Sequence, residues 1–186
     1  MLWNRRPRSL EYAVGPVVAI ENGIDIGFAS SIVRPRKRSG IFIAGYKSPE
    51  LAKSIAAKLE RSVSIDLAQV FVPQRDFLTR VAQARLCILL PYAKEGFYLP
   101  ALEAMALGTP IIVPDCIGNR TFCIDGLTCL VPEYDALTIA QAAQHLLSCP
   151  ILAENLANGA RAMAERHSLG REREQYRTAL VDFLRR

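Results

Sequence analysis

The sequence predicts an α/β fold, a Rossmann-like parallel sheet with helices on both faces, closed by C-terminal helices. Three observations point to it. From Ile41 onward, short apolar runs alternate with helical stretches. The run 86–90 is apolar without a break, as in a strand covered on both faces. Parallel neighbours need crossovers, and the helical stretches between the runs supply them.

The elements follow in order. Residues 1–40 read as an irregular interdomain segment leading into a domain over 41–186, because turns at Gly15-Pro16, Asn22-Gly23 and Arg34-Pro35 break up one short apolar run, 17–20. A buried strand over 41–44 ends at Gly45, and Pro49 opens a helix through Glu60 with Leu51, Ile55 and Leu59 on one face. A second strand is expected over 62–65, then a helix over 76–84 with Phe77, Val81 and Ala84 inward, then the strand 86–90. The loop 91–98 leads into a helix over 99–107, with Pro100 suited to its first turn and Gly108 to its end. Strands at 110–113 and 128–131 and helices at 136–147, 151–166 and 171–184 complete the series. Ligands of such sheets sit beyond the carboxyl ends of the strands, so the loops 45–49, 91–98 and 114–126 should share one rim.

Composition narrows the function classes. With 51% hydrophobic and 22% charged residues the chain is not disordered, and no apolar run approaches the ~20 residues that cross a bilayer. The apolar stretch 12–20 behind Arg5, Arg6 and Arg8 is interrupted by Gly15-Pro16 and lacks a small-residue cleavage site, so a cytoplasmic location is expected. Five cysteines without a Cys-x-x-Cys pair, beside two histidines, predict reduced core thiols and no metal site. Net charge is +5, with basic clusters at Arg5, Arg6, Arg8 and at Arg34, Arg36, Lys37, Arg38. These could steer an anionic partner, but a solvated linker surface is the favoured reading of each cluster alone. They lack the interleaved aromatics of a stacking platform, so no nucleic-acid partner and at most peripheral membrane contact are expected.

The chemically informative segment runs from Lys94 to Gly108. Glu103 lies among Ala101, Leu102, Ala104, Met105 and Ala106, so a helix carrying it surrounds the carboxylate with apolar neighbours. Burying such a charge is expensive unless it is paired or hydrogen-bonded. A place in the first helical turn would let the macrodipole tolerate it, but a ligand with vicinal hydroxyls, such as a ribose, would satisfy it. Glu95, eight positions earlier, is followed by Gly96, where backbone can approach a ligand closely. The free N–H groups at the start of the following helix face the same space.

Glu95 and Glu103 have the Glu-x7-Glu spacing of glycosyltransferase family 4, and the run Glu95-Gly96-Phe97-Tyr98-Leu99-Pro100-Ala101-Leu102-Glu103-Ala104-Met105-Ala106-Leu107-Gly108 closely resembles that family's motif. Asn22-Gly23-Ile24-Asp25 resembles its interdomain turn, and Ile41-Phe42-Ile43-Ala44-Gly45 the strand that opens its C-terminal domain. Pro110 to Asp115 and Asp125 to Pro132 follow in the family's order, so the likeness covers about 17–184. It implies the C-terminal, nucleotide-sugar-binding half of a GT-B fold, acting on a UDP-, GDP- or ADP-sugar with retention of configuration and without a metal or other cofactor. By the same resemblance Glu103 would hold the ribose hydroxyls. Glu95, as the catalytic carboxylate, would hold the donor sugar with the amides of Gly96, Phe97 and Tyr98.

Where many relatives have Gly-Arg and a later Lys gripping the diphosphate, this chain has Gly45-Tyr46-Lys47 and Lys53. A lysine lacks the bidentate fork of an arginine; Arg120, in a rim loop, is a candidate for the missing guanidinium. Phe71, Val72 and Pro73 stand where relatives cradle the base, though core packing would also explain them. The complete family carries a preceding domain with the acceptor site and often a catalytic histidine. The resemblance therefore implies a half inactive without an acceptor domain from a longer chain or separate subunit. His145 and His167 fall away from the rim and receive no role. A non-catalytic sugar-nucleotide-binding remnant is the alternative. A sugar-nucleotide epimerase on the same fold fits the run from Glu95 to Glu103 less well.

Overall fold

Pleating sends alternate residues of a strand to opposite faces, and in the two central strands both sets are apolar. In a computed structural model, which describes residues 17–185, β1 (Ile41–Ala44) points Ile41 and Ile43 to one face and Phe42 and Ala44 to the other. In β3 (Leu86–Leu89), Leu86 and Ile88 join the first set and Cys87 and Leu89 the second. Full burial of the Ile, Leu and Phe side chains among them contributes about 1.5–3 kcal/mol each, which is why such a run supports a two-sided core. β1 pairs in parallel with β2 (Ile65–Ala68) and β3, and β3 with β4 (Ile111–Ile112), giving the order β2-β1-β3-β4.

The face with Ile41 and Ile43 is covered by α2 (Pro49–Lys58) and α5 (Ala136–Ser148). The face with Phe42 and Ala44 is covered by α3 (Gln74–Gln83) and α4 (Leu99–Ala106). The long α6 (Pro150–Arg166) serves both cores, placing Leu156 in the first and Ala160 and Ala164 in the second. After α4 the chain turns at Gly108, whose φ of 60° is in the left-handed region. Arg38 closes that turn by donating to the carbonyls of Leu107 (2.8 Å) and Gly108 (2.9 Å) and to the Thr109 hydroxyl. One member of the second basic cluster is thus a helix cap, while Arg5, Arg6 and Arg8 lie outside the described residues.

Several elements differ from expectation. The second strand begins at Ile65 rather than 62, because the Val63 N–H bonds back to the Glu60 carbonyl (3.1 Å) in a turn. The strand expected over 128–131 shrinks to two isolated bridges, Leu130 to Ile112 and Cys129 to Asp125, because the Thr128 hydroxyl is recruited by Phe122 O and Ile124 N–H at the turn before it. Residues 22–32, expected to be irregular, contain the short helix α1 (Ile26–Ser30), whose first turn is capped by Asp25 accepting from the Phe28 N–H at 2.8 Å. Such a cap contributes about 1 kcal/mol. Ile24 and Ile32 are buried in the second core. Ile24 also exchanges backbone hydrogen bonds with His167 O and Leu169 N, tying this segment to the start of α7 (Leu169–Leu184). Among the described residues no single helix is long and apolar enough to cross a membrane.

Candidate functional site

In this strand order the chain leaves β1 and β3 in opposite directions, and the crevice beyond their carboxyl ends is the position where such sheets hold ligands. The loop after β1 starts at Gly45, where a Cβ would lie 2.2 Å from that of Ala52. Only glycine lets α2 press so close. Lys47 follows and donates to Glu95 Oε2 across the crevice at 2.5 Å, with both side chains less than a quarter exposed. The ammonium also faces the rings of Tyr98, Tyr92 and Tyr46, 5.1, 5.5 and 5.8 Å from their centroids, so three aromatic quadrupoles supplement its partner. A second tie links the same two loops: the Tyr134 hydroxyl donates to the Pro91 carbonyl at 2.8 Å and shares a 2.7 Å bond with Ser48 Oγ.

Behind Glu95 the backbone is held from below. The 3-10 turn Ile117–Asn119 is fixed by buried Asn119, which accepts from the Cys116 N–H and donates to the Pro114 carbonyl. From this turn the Gly118 carbonyl accepts the Tyr98 N–H at 3.1 Å, and the Ile117 N–H donates to Ala93 O at 3.3 Å. The Tyr98 amide is therefore already committed, and of the three amides expected to face a ligand only those of Gly96 and Phe97 lack a partner among the described residues. Gly96 is exposed, with nothing within 4 Å of where a Cβ would stand. The Phe97 ring turns inward against Phe122 and His167. Tyr98 is fully buried, and burial pushes its phenol well above the usual range.

Glu103 occupies the second turn of α4, whose first turn holds no acidic residue, so the macrodipole explanation weakens. Its carboxylate lines a cleft of about 210 Å³. Phe42, Ala44, Ala68 and Phe77 form the apolar part of the lining, with Phe71 and Val72 from the segment after β2. Tyr46 stands edge-on to Phe71 at 6.1 Å, lining the cleft while its ring also faces Lys47. Gln74 donates to Glu103 Oε1 at 2.5 Å. Among the described residues no donor reaches the other oxygen. Burial pushes the Glu103 carboxyl above its ordinary value, opposed by the Gln74 bond.

Gly45, Lys47, Glu95, Gly96 and Tyr98 thus form one cluster, with Val72 and Glu103 in the adjoining cleft. Lys53 pairs instead with Glu50 at 2.8 Å on the exposed side of α2. Arg120 holds Asp115 through two nitrogens, Nε at 2.9 Å and Nη2 at 2.5 Å, with both side chains more than half exposed. Pairs as exposed as these are screened by water and contribute little to stability. Three residues of the site carry no mark in the sequence reading: Tyr46, Gln74 and Tyr134. Tyr46 sits between two residues already singled out, so adjacency was an available signal, while Gln74 and Tyr134 act through contacts distant in the chain.

A family model described as "Glycosyl transferases group 1" matches residues 16–149. A D-inositol 3-phosphate glycosyltransferase of Frankia alni is 32% identical over 135 residues, covering 68% of this chain and 33% of that protein. The enzyme of the same name from Saccharomonospora viridis is 29% identical over 160 residues, covering 80% of this chain and 36% of its own length. The chain therefore spans about a third of the length of these relatives. Among solved structures, Anabaena HepE in complex with UDP-glucose superimposes with a TM-score of 0.74 at 14% identity, over 88% of this chain and 57% of that one. The C-terminal domain of the group 1 family protein LpcC from Francisella tularensis gives 0.62 at 15% identity, over 79% of this chain and all of that one. These two likenesses show the fold.

Proposed function

Since the chain belongs to the group 1 glycosyltransferases and its sheet is the Rossmann-like unit of the GT-B fold, we propose that it is the donor-binding half of a retaining transferase that takes a nucleotide-diphosphate sugar. The observation that carries this reading is the Glu103 carboxylate, bonded on one oxygen only among the described residues and set in a largely apolar cleft that adjoins Lys47 and Glu95 through Tyr46. A flat base fits the apolar part of the cleft between Tyr46, Phe71 and Val72. The ribose hydroxyls then donate to Glu103. The diphosphate lies toward Lys47, and the sugar reaches Glu95 and the free amides of Gly96 and Phe97.

The chemistry follows from charge. As the bond from the anomeric carbon to the diphosphate breaks, positive charge grows on the sugar ring and negative charge on the leaving group. Glu95 opposes the first, while Lys47 opposes the second. Side chains thereby supply the neutralisation that a metal would otherwise give. The acceptor is held by a further domain, and the reaction belongs in the cytoplasm. UDP-glucose bound to HepE supports a nucleotide-sugar ligand without choosing the base for this chain.

One observation favours the second reading, a module that binds without turnover. Lys47 is neutralised by Glu95, while Lys53 and Arg120 have carboxylate partners of their own, so of these three cations only the shared Lys47 ammonium faces the crevice. Calorimetric titration with UDP, GDP, ADP and their glucose or mannose conjugates tests the site common to both readings. Hydrogen bonds to a charged group contribute about 1.5–3 kcal/mol, so Glu103→Ala is expected to weaken the preferred nucleotide at least tenfold. Equal affinity in wild type and variant would remove the ribose assignment.

A further inference from the structure

One buried side-chain polar atom among the described residues has no hydrogen-bond partner, the hydroxyl of Tyr98. An orphan of this kind destabilises the fold, and buried polar groups in folded proteins nearly always find partners. The second core accounts for the ring, since Tyr98 is 0% exposed and packed with that cluster. It does not account for the oxygen, which a phenylalanine would omit at no loss of packing. Nor is the backbone of Tyr98 available to a ligand, its N–H being committed to Gly118. The Lys47 ammonium stands 5.1 Å from the ring centroid and is held there by Glu95.

We propose that the Tyr98 hydroxyl is a specificity-determining contact for the sugar of the donor, covered by Lys47 until a diphosphate draws that ammonium away from Glu95. The inference rests on the nucleotide-sugar reading above. Binding exchanges partners without covalent change: Lys47 Nζ passes from Glu95 to a phosphate oxygen, Glu95 accepts from sugar hydroxyls, and the Tyr98 O–H donates to a sugar oxygen. Burial, reinforced by the nearby Tyr46 and Glu95, keeps the phenol protonated, so it enters as a donor. Tyr98 does not line the cleft that contains Glu103. Its ring stands instead against Lys47, the residue that bonds Glu95. The contact therefore concerns the sugar and not the base.

The test is Tyr98→Phe in the full chain, read by thermal midpoint and by calorimetry with UDP and UDP-glucose, or with the GDP or ADP pair if that is the nucleotide the wild type prefers. The midpoint is expected to stay level or rise, because the variant deletes an unpaired group. Affinity for the free diphosphate should hold within twofold while that for the sugar nucleotide falls about tenfold. A midpoint several degrees lower with sugar-nucleotide affinity intact would mean the hydroxyl serves the fold through a bound water, and the proposal fails. Equal weakening of both ligands overturns it too. If the wild type binds both and the variant binds both as well, Tyr98 alone is eliminated. If the wild type binds neither, the nucleotide-sugar reading itself has failed and this inference goes with it.

Discussion

A carboxyl pushed upward by burial keeps its proton to higher pH than one in water, and this gives Glu103 a measurable signature. Its ordinary value is 4.5, and the folded value is higher. The group therefore favours the folded state below about pH 4.5, and that contribution is lost as pH rises through the folded value. Ribose donors favour the charged form, so nucleotide affinity should strengthen as pH rises over the same window. Glu103→Gln is expected to raise the thermal midpoint of the free protein at pH 7 and to flatten the pH dependence of nucleotide binding above pH 4.5. Tighter wild-type binding at pH 5 than at pH 7 would contradict this sign. The importance of Glu103 was legible because a charge among alanines and leucines is anomalous in any helix, and Glu95 was legible through its spacing from it. The partners were not legible: Gln74 is 29 positions from Glu103, Lys47 is 48 from Glu95, and Tyr134 is 86 from Ser48. No local pattern encodes such pairings. Tyr98 illustrates a different limit, since the residue was singled out for its amide and the fold commits that amide elsewhere.

Elements buried on both faces announced themselves, and elements at the margin did not. β1 and β3 are four-residue apolar runs with no alternative register, and the sequence places both. β2 lies at the sheet edge, where Val63, Ile65 and Leu67 alternate with polar residues and allow more than one starting point. The five-residue α1 is too short for a helical period, and only its Asp25 cap signals it. The turn Ile117–Asn119 was expected only as part of a rim loop, yet it supports the Glu95 loop directly. A Cβ on Gly118 would lie 2.4 Å from Gly96 C and 2.5 Å from Phe97 N, both backbone atoms that cannot swing aside. Overpacking of this kind costs about 1–3 kcal/mol. Gly118→Ala is therefore expected to displace Glu95 and the two free amides, weakening a sugar nucleotide tenfold or more while the bare nucleoside, held in the Glu103 cleft, binds as before. Calorimetry with the two ligands decides it, and unchanged sugar-nucleotide affinity would show that the two loops are independent.

At the scale of the whole molecule, stability resides in two cores on either side of a narrow sheet, and the site lies where those cores meet the carboxyl ends of β1 and β3. α6 joins the cores by presenting Leu156 to one and Ala160 and Ala164 to the other. α7 stands apart from this arrangement. None of its described residues is buried, and Leu180, Phe183 and Leu184 are 60%, 69% and 80% exposed. Its firm attachments are at its first residues, where Ser168 bridges Ile24 and the Leu169 N–H donates to the Ile24 carbonyl at 2.9 Å. Deleting residues 171–186 preserves those attachments and removes mostly exposed surface. For a domain of this size 1 kcal/mol corresponds to about 2–4 °C, so the truncated chain should melt within several degrees of the full one. Its nucleotide affinity should be unchanged, since no residue of the Lys47 cluster or the Glu103 cleft comes from α7. A midpoint lower by more than about 10 °C, beyond what this scaling assigns to surface contacts, would show instead that α7 folds cooperatively with the cores. Loss of nucleotide binding in a truncated protein that still melts normally would place α7 in communication with the crevice through the Ile24 junction.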